Sequence, residues 1–170
     1  DVPPIKGTNP DTGEVIVCNA RESDPLAALI FKVSMIEGRK LSFVRLYSGS
    51  MKAGEDVYNP SLKKKEKLAR ILQMHANKRE RVDAIGAGSI AGIVGLKDSS
   101  TGETLCSANH PLLLENIEIY EPVISVAVEP RTHADQEKLE VVLQKFMAED
   151  PTLRVRQDED TGQTILSGMG

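Results

Sequence analysis

Between Leu26 and Leu105 the chain never holds a helical apolar period for three turns; it runs in short β-type stretches split by glycine turns. That pattern constrains the fold more than any other feature. Leu29, Phe31, Val33 and Met35 alternate with Ile30, Lys32 and Ser34, and after Glu37-Gly38-Arg39 a second run sets Leu41, Phe43, Arg45 and Tyr47 against Ser42, Val44 and Leu46. The two runs predict a β-hairpin. Further strands are expected at Asp56 to Tyr58, Glu66 to Met74, Ser89 to Gly95 and Thr104 to Cys106, each bounded by Gly, Asn, Asp or Ser. So many strands in so short a span must close on themselves to hide their edges, which predicts a β-barrel over 26–114. Its expected core includes Leu29, Phe31, Val33, Phe43 and Val94.

The flanks read differently. Residues 1–25 hold four of the nine prolines and the turn Asn9-Pro10-Asp11-Thr12-Gly13, predicting a linker with one small hairpin. After Pro111-Leu112-Leu113-Leu114 comes a β-branched run from Val123 to Val128, closed by Glu129-Pro130. A helix follows: Thr132 with Asp135 three residues on is a capping-box pattern, Leu139, Val142, Leu143 and Phe146 repeat at helical spacing, and Asp150-Pro151 ends it. Leu153 to Gln157 and Thr164 to Ser167 read as strands around Asp158 to Gly162. The order β-α-β-β over 115–170 predicts part of a ferredoxin-like, split βαβ domain, short of the second helix and last strand that would complete it.

Chemistry is sparse. With 25 acidic against 21 basic residues the chain lacks the footprint of a self-sufficient nucleic-acid binder, so any RNA contact is local and no DNA partner is expected. No G-x-x-x-x-G-K-[ST] loop is present, which argues against nucleotide hydrolysis and predicts no cofactor and no catalytic residue in this segment. His75, His110 and His133 have no metal-ligand spacing, so no metal is expected. Cys18 and Cys106 lie far apart without a CxxC spacing, which fits a reducing cytoplasm, and either as a nucleophile would need a nearby base that sequence alone does not place. No apolar run reaches the roughly 18 residues that span a bilayer, and no membrane partner is expected. One basic concentration stands out: Lys63, Lys64, Lys65, Lys67, Arg70, Lys78, Arg79 and Arg81 against Glu66 and Glu80. It is either a phosphate-contacting face or an ordinary solvated one, and no aromatic residue is interleaved to decide.

Several stretches together resemble elongation factor G, the translocation GTPase of the translation factors. They include Val44-Arg45-Leu46-Tyr47-Ser48-Gly49, Arg70 to Asn77, and Gly95-Leu96-Lys97-Asp98-Ser99-Ser100-Thr101-Gly102-Glu103-Thr104. Val128-Glu129-Pro130-Arg131-Thr132, Glu149-Asp150-Pro151-Thr152 and Gly162-Gln163-Thr164-Ile165-Leu166-Ser167-Gly168 continue the resemblance, which is colinear from Asp1 to Gly170. It implies an elongation factor Tu-like second-domain barrel, then a truncated ferredoxin-like third domain. Both ends are expected to be internal cuts, with the GTPase domain, its GTP and its magnesium lying upstream.

On this resemblance the segment is a non-catalytic, ribosome-binding part of a cytoplasmic factor that promotes tRNA–mRNA translocation. Its implied partners are small-subunit ribosomal RNA and the factor's own GTPase domain. Lys63, Lys64, Lys65, Lys78 and Arg79 are the expected RNA contacts, and Glu149, Asp150 and Thr152 part of a fusidic-acid-type pocket between domains. One departure is visible: the first barrel hairpin turns through Ser34-Met35-Ile36-Glu37-Gly38-Arg39-Lys40, where family members usually read Asp-Pro-Phe-Val-Gly. A divergent paralogue or a tetracycline-protection type of ribosome-bound GTPase is therefore the alternative within the class. Outside it stand a stand-alone RNA- or protein-binding barrel and a small thiol enzyme.

Overall fold

In the computed structural model, residues 3–75, 78–114, 124–150 and 152–168 are described. The chain divides into two compact units, Asp1–Asn116 and Ile117–Gly170.

The first unit opens with the hairpin β1 (Ile5–Thr8) and β2 (Val15–Cys18). Its turn is built by Asn9, whose Oδ1 accepts from Asp11 N at 2.9 Å, the local bond that makes Asn a turn former. The predicted long hairpin follows as β3 (Ala27–Ile36) and β4 (Arg39–Ser48), turning through Glu37 and Gly38, both at positive φ. Next come β5 (Ser50–Lys52), β6 (Asp56–Asn59) and β7 (Lys64–Lys67). The expected strand from Glu66 to Met74 is broken at Leu68-Ala69, so that β7 ends and β8 (Arg70–His75) begins on another side of the barrel. Then follow β9 (Lys78–Val82), β10 (Ala84–Gly86), β11 (Ile90–Val94), β12 (Thr104–Cys106) and β13 (Leu113–Leu114).

Eight strands form the main sheet in the order β7-β6-β12-β3-β4-β11-β8-β9. Past β7 the chain turns at a corner at Leu68, where Gly54 N donates to Leu68 O and Leu68 N to Glu55 O, before β8 pairs with β11. The corner needs Gly95: its φ is +121°, and a Cβ there would strike the Lys67 carbonyl and lie 2.9 Å from Ala69 N. Inside are Ile30, Val33, Val44, Leu46, Leu68, Ile71, Ile93 and Leu105, all essentially inaccessible.

Of the residues expected in this core, Val33 is buried, but Phe31 is 39% exposed and Leu29, Phe43 and Val94 are only half-buried. The cause is a β-bulge. Pairing runs Ile30↔Val44 and then Lys32↔Phe43, so Phe31 is the extra residue and the alternation changes phase across it. Leu29 and Phe43 lie on the outer face. A second cluster covers part of that face: β13-β1-β2 lays Cys18, Leu112 and Leu114 over Ala27 and Cys106, with Leu29, Tyr47 and Tyr58 at its margin.

The second unit contains β14 (Ile124–Val128), α1 (His133–Glu149), β15 (Arg154–Gln157) and β16 (Thr164–Gly168). The sheet order is β14-β16-β15 with both pairings antiparallel, so β16 is inserted between the strands that the helix connects: a split βαβ. Thr132 caps α1, its Oγ1 accepting from Asp135 N at 3.2 Å and donating to Asp135 Oδ2 at 2.7 Å. Of the predicted apolar stripe Leu143 is buried and Leu139 half-buried, while Val142 and Phe146 remain exposed. Three strands are too narrow to cover more than one side of the helix. The expected boundary at 115 and the stretch through Val123, together with Pro151, fall outside the described residues.

Candidate nucleic-acid interface

The basic stretch folds into two places. Lys63 sits in the turn before β7, and Lys64 and Lys65 open that strand at one end of the main sheet's order, whereas Lys78 and Arg79 open β9 at the other. All five are exposed. Lys64 Nζ meets Asp98 Oδ2 at 3.2 Å, with both side chains more than half exposed, so the pair adds little stability. β9 projects with β8 as a hairpin, and its residues alternate: Arg79 and Arg81 stand opposite Met74 and Leu72, while Glu80 stands opposite Gln73 on the other face. The register therefore separates the two arginines from the one acid among them.

Glu66, counted in the sequence as part of this charged run, turns inward instead and is 7% exposed. It accepts from Asp98 N at 2.7 Å, from Ser99 N at 3.1 Å and from the Ser99 hydroxyl. Asn59, fully buried, donates through Nδ2 to Ser99 Oγ and to Glu103 Oε2, each at 2.8 Å, and Ser100 N donates to the same Glu103 oxygen at 2.8 Å. From β4, Lys40 Nζ donates to Lys97 O at 3.2 Å and to Ser99 O. Burial pushes the Lys40 ammonium below its usual value, and the charges of Glu66, Glu103 and Asp98 hold it up against that. The loop 97–103, part of the longest family-like stretch, is thus pinned from β4, β6 and β7 by one polar network, which leaves the buried Thr101 Oγ1 without a partner among the described residues. Sequence reasoning missed it. The available signal was Glu66 at an inward position of a lysine-rich strand.

The two thiols are buried, and burial raises both above the usual cysteine value. That is the reverse of an activated nucleophile. Among the described residues no group of three or more His, Cys, Asp or Glu side chains is arranged to hold a metal ion. No described helix is long and apolar enough to cross a membrane.

In the second unit, Asp150 follows the helix as its C-cap, and its Oδ1 accepts from Thr152 N at 2.9 Å and Thr152 Oγ1 at 2.6 Å. This local turn draws the carboxylate toward donors at the end of the helix where a negative charge is otherwise disfavoured. Glu149, Asp150 and Thr152 do not line the unit's groove of about 430 Å³, whose walls are Leu139, Leu143 and Met147 on α1 and Val128, Val155 and Thr164 on the strands.

An eight-stranded barrel followed by a split βαβ unit defines a class. Residues 39–106 match the family model for elongation factor Tu domain 2, and residues 119–170 match that for elongation factor G, domain III. These are domains of translation elongation factors. Over all 170 residues the chain is 56% identical to "Elongation factor G 2" of Syntrophus aciditrophicus (strain SB), of which it covers 25%. The chain belongs to the elongation factor G family, and spans about a quarter of the length of that relative. A crystal structure from Thermus thermophilus has the same fold, with a TM-score of 0.71, 24% identity, and coverage of 86% of this chain and 22% of that one.

Proposed function

We propose that this segment is the ribosome-docking, non-catalytic part of a factor that promotes tRNA–mRNA translocation in the cytoplasm. The observation that carries this reading is the 56% identity along the whole chain to an elongation factor G. In the reading, GTP and magnesium are handled by a GTPase domain elsewhere in the factor, and this segment contributes contacts to small-subunit ribosomal RNA. Lys63, Lys64 and Lys65 on one edge and Lys78 and Arg79 on the other supply sequence-independent phosphate contacts, a role their exposure supports. Glu149, Asp150 and Thr152 form one wall of a drug-binding gap that the factor's other domains complete.

Reversing Lys64, Lys78 and Arg79 to glutamate in the full-length factor should weaken ribosome binding and flatten its dependence on salt. Ribosome affinity at two salt concentrations reads both quantities. Equal affinities with equal slopes in wild type and triple variant would remove these residues from the contact surface.

A further inference from the structure

The outer face of five adjacent barrel strands, β3-β4-β11-β8-β9, has a composition that the phosphate contacts above do not use. Following the register across it gives one rung of directly opposed residues: Lys32, Phe43, Gly92, Leu72 and Arg81. Opposed residues share a face. The rung is apolar in the middle and cationic at both ends. Alongside it, Arg45 stands between Leu29 and Ile90, and Met74 stands opposite Arg79. No carboxylate occupies either line, because Glu80 is opposite Gln73 and hence on the other side of the sheet.

Leu29, Phe43 and Leu72 are half-buried, but other apolar members are open to solvent. Ile90 is 47% exposed, and Phe31, pushed out by the bulge, is 39% exposed. Phe31 lies against Phe43 with ring centroids 6.4 Å apart and planes tilted by 43°. Beside Phe43 the place a side chain at Gly92 would take is filled by the buried Leu41, whose Cδ1 would lie 3.0 Å from a Cβ there. Positive charge sits at the rings themselves: Lys32 Nζ is 5.8 Å from the Phe43 centroid, and the Arg45 guanidinium is 5.2 Å from that of Tyr47. Single apolar residues on a surface are ordinary; aromatic rings beside cations on one sheet face, with no acid in either line, are not.

We propose that this face is a stacking platform for an unpaired RNA segment, with Phe31 and Phe43 receiving bases and Arg45 and Arg81 receiving the adjoining phosphates. Rings take any base on their faces, and flanking cations track the backbone, which is the chemistry single-stranded nucleic acid requires. A second copy of this chain would set these arginines against themselves. RNA as the class of nucleic acid rests on the ribosome-docking reading; the stacking site rests on the face alone.

The test uses the 170-residue chain and fluorescence anisotropy with a fluorescein-labelled 12-nucleotide oligouridine, a duplex RNA of equal length, and a glutamate-rich peptide as competitor. The single strand should bind more tightly than the duplex. Phe31→Leu with Phe43→Leu, which keeps apolar bulk and removes the rings, should weaken it by about tenfold per ring with the salt slope unchanged. Arg45→Gln with Arg81→Gln should instead lower the salt slope by about 1.4, for two phosphates. Circular dichroism melts establish that both variants fold. Unchanged binding by the ring variant, a duplex bound as tightly as the single strand, or displacement by the acidic peptide at equal concentration would overturn the platform. Ribosome sedimentation run in parallel separates the two readings. Ribosome binding together with oligouridine binding that ignores the ring substitutions removes the platform and leaves docking intact, whereas ring-dependent oligouridine binding without ribosome binding upholds the platform and removes docking.

Discussion

Glu66→Ala should destabilise the barrel by about 3–5 kcal/mol, although Glu66 sits among four lysines in the sequence. The carboxylate accepts from two backbone N–H groups and one hydroxyl of a loop that is distant in sequence, and Ser99 is itself inaccessible. Truncation leaves three donors with no replacement partner and no room for water to reach all of them. It also removes the nearest compensating charge from the partly desolvated Lys40. Glu66→Gln separates shape from charge. The amide keeps one acceptor but turns an N–H₂ group toward a donor, so a smaller loss of about 1–3 kcal/mol is expected. Urea unfolding followed by far-ultraviolet circular dichroism measures both, and a loss below about 1 kcal/mol for Glu66→Ala would show that the loop is held by something else.

Leu46→Ala should cost about 2–5 kcal/mol, whereas Phe31→Ala, a larger truncation, should cost far less. Leu46 is wholly inaccessible at the centre of the barrel, so deletion leaves a cavity that the closed sheet cannot collapse to fill. Phe31 faces solvent on the bulge and touches Phe43 on one side. A ring in that position loses little apolar burial when removed, and the two substitutions therefore order the strand faces directly. Thermal or urea unfolding of the pair gives the answer, and a larger loss at Phe31 than at Leu46 would place the barrel interior on the opposite face of β3 and β4.

That inversion was the main limit on reading the fold from the amino acids. The long hairpin was legible because Glu37-Gly38 separates two ten-residue strands of β-branched and aromatic residues. Its inward face was not, because a bulge adds one residue without any compositional mark, and aromatic residues are ordinarily the safest guess for a core. β9 was invisible for another reason: Lys78-Arg79-Glu80-Arg81-Val82 has the composition of a solvated loop, and only pairing with β8 makes it a strand. The helix of the second unit was plain, since its cap and its stop are local chemistry at Thr132 and Asp150. The polar network around Ser99 joins residues 33 to 59 positions apart, a distance over which no periodicity can signal contact. Of the candidate interface, the concentration of charge could be read directly. Its division between two ends of one sheet, and the inward turn of Glu66, belong to register and closure.

The most direct measurement of the docking proposal is competition on the ribosome. The 170-residue chain, added in increasing amounts at low salt, should displace a labelled full-length elongation factor G from ribosomes, because both would occupy the same surface of small-subunit RNA. Displacement should weaken steeply as salt is raised, by a factor set by the number of phosphates neutralised. A chain that folds, as circular dichroism would show, yet leaves the labelled factor in place at every concentration and salt would contradict the proposal that this segment docks.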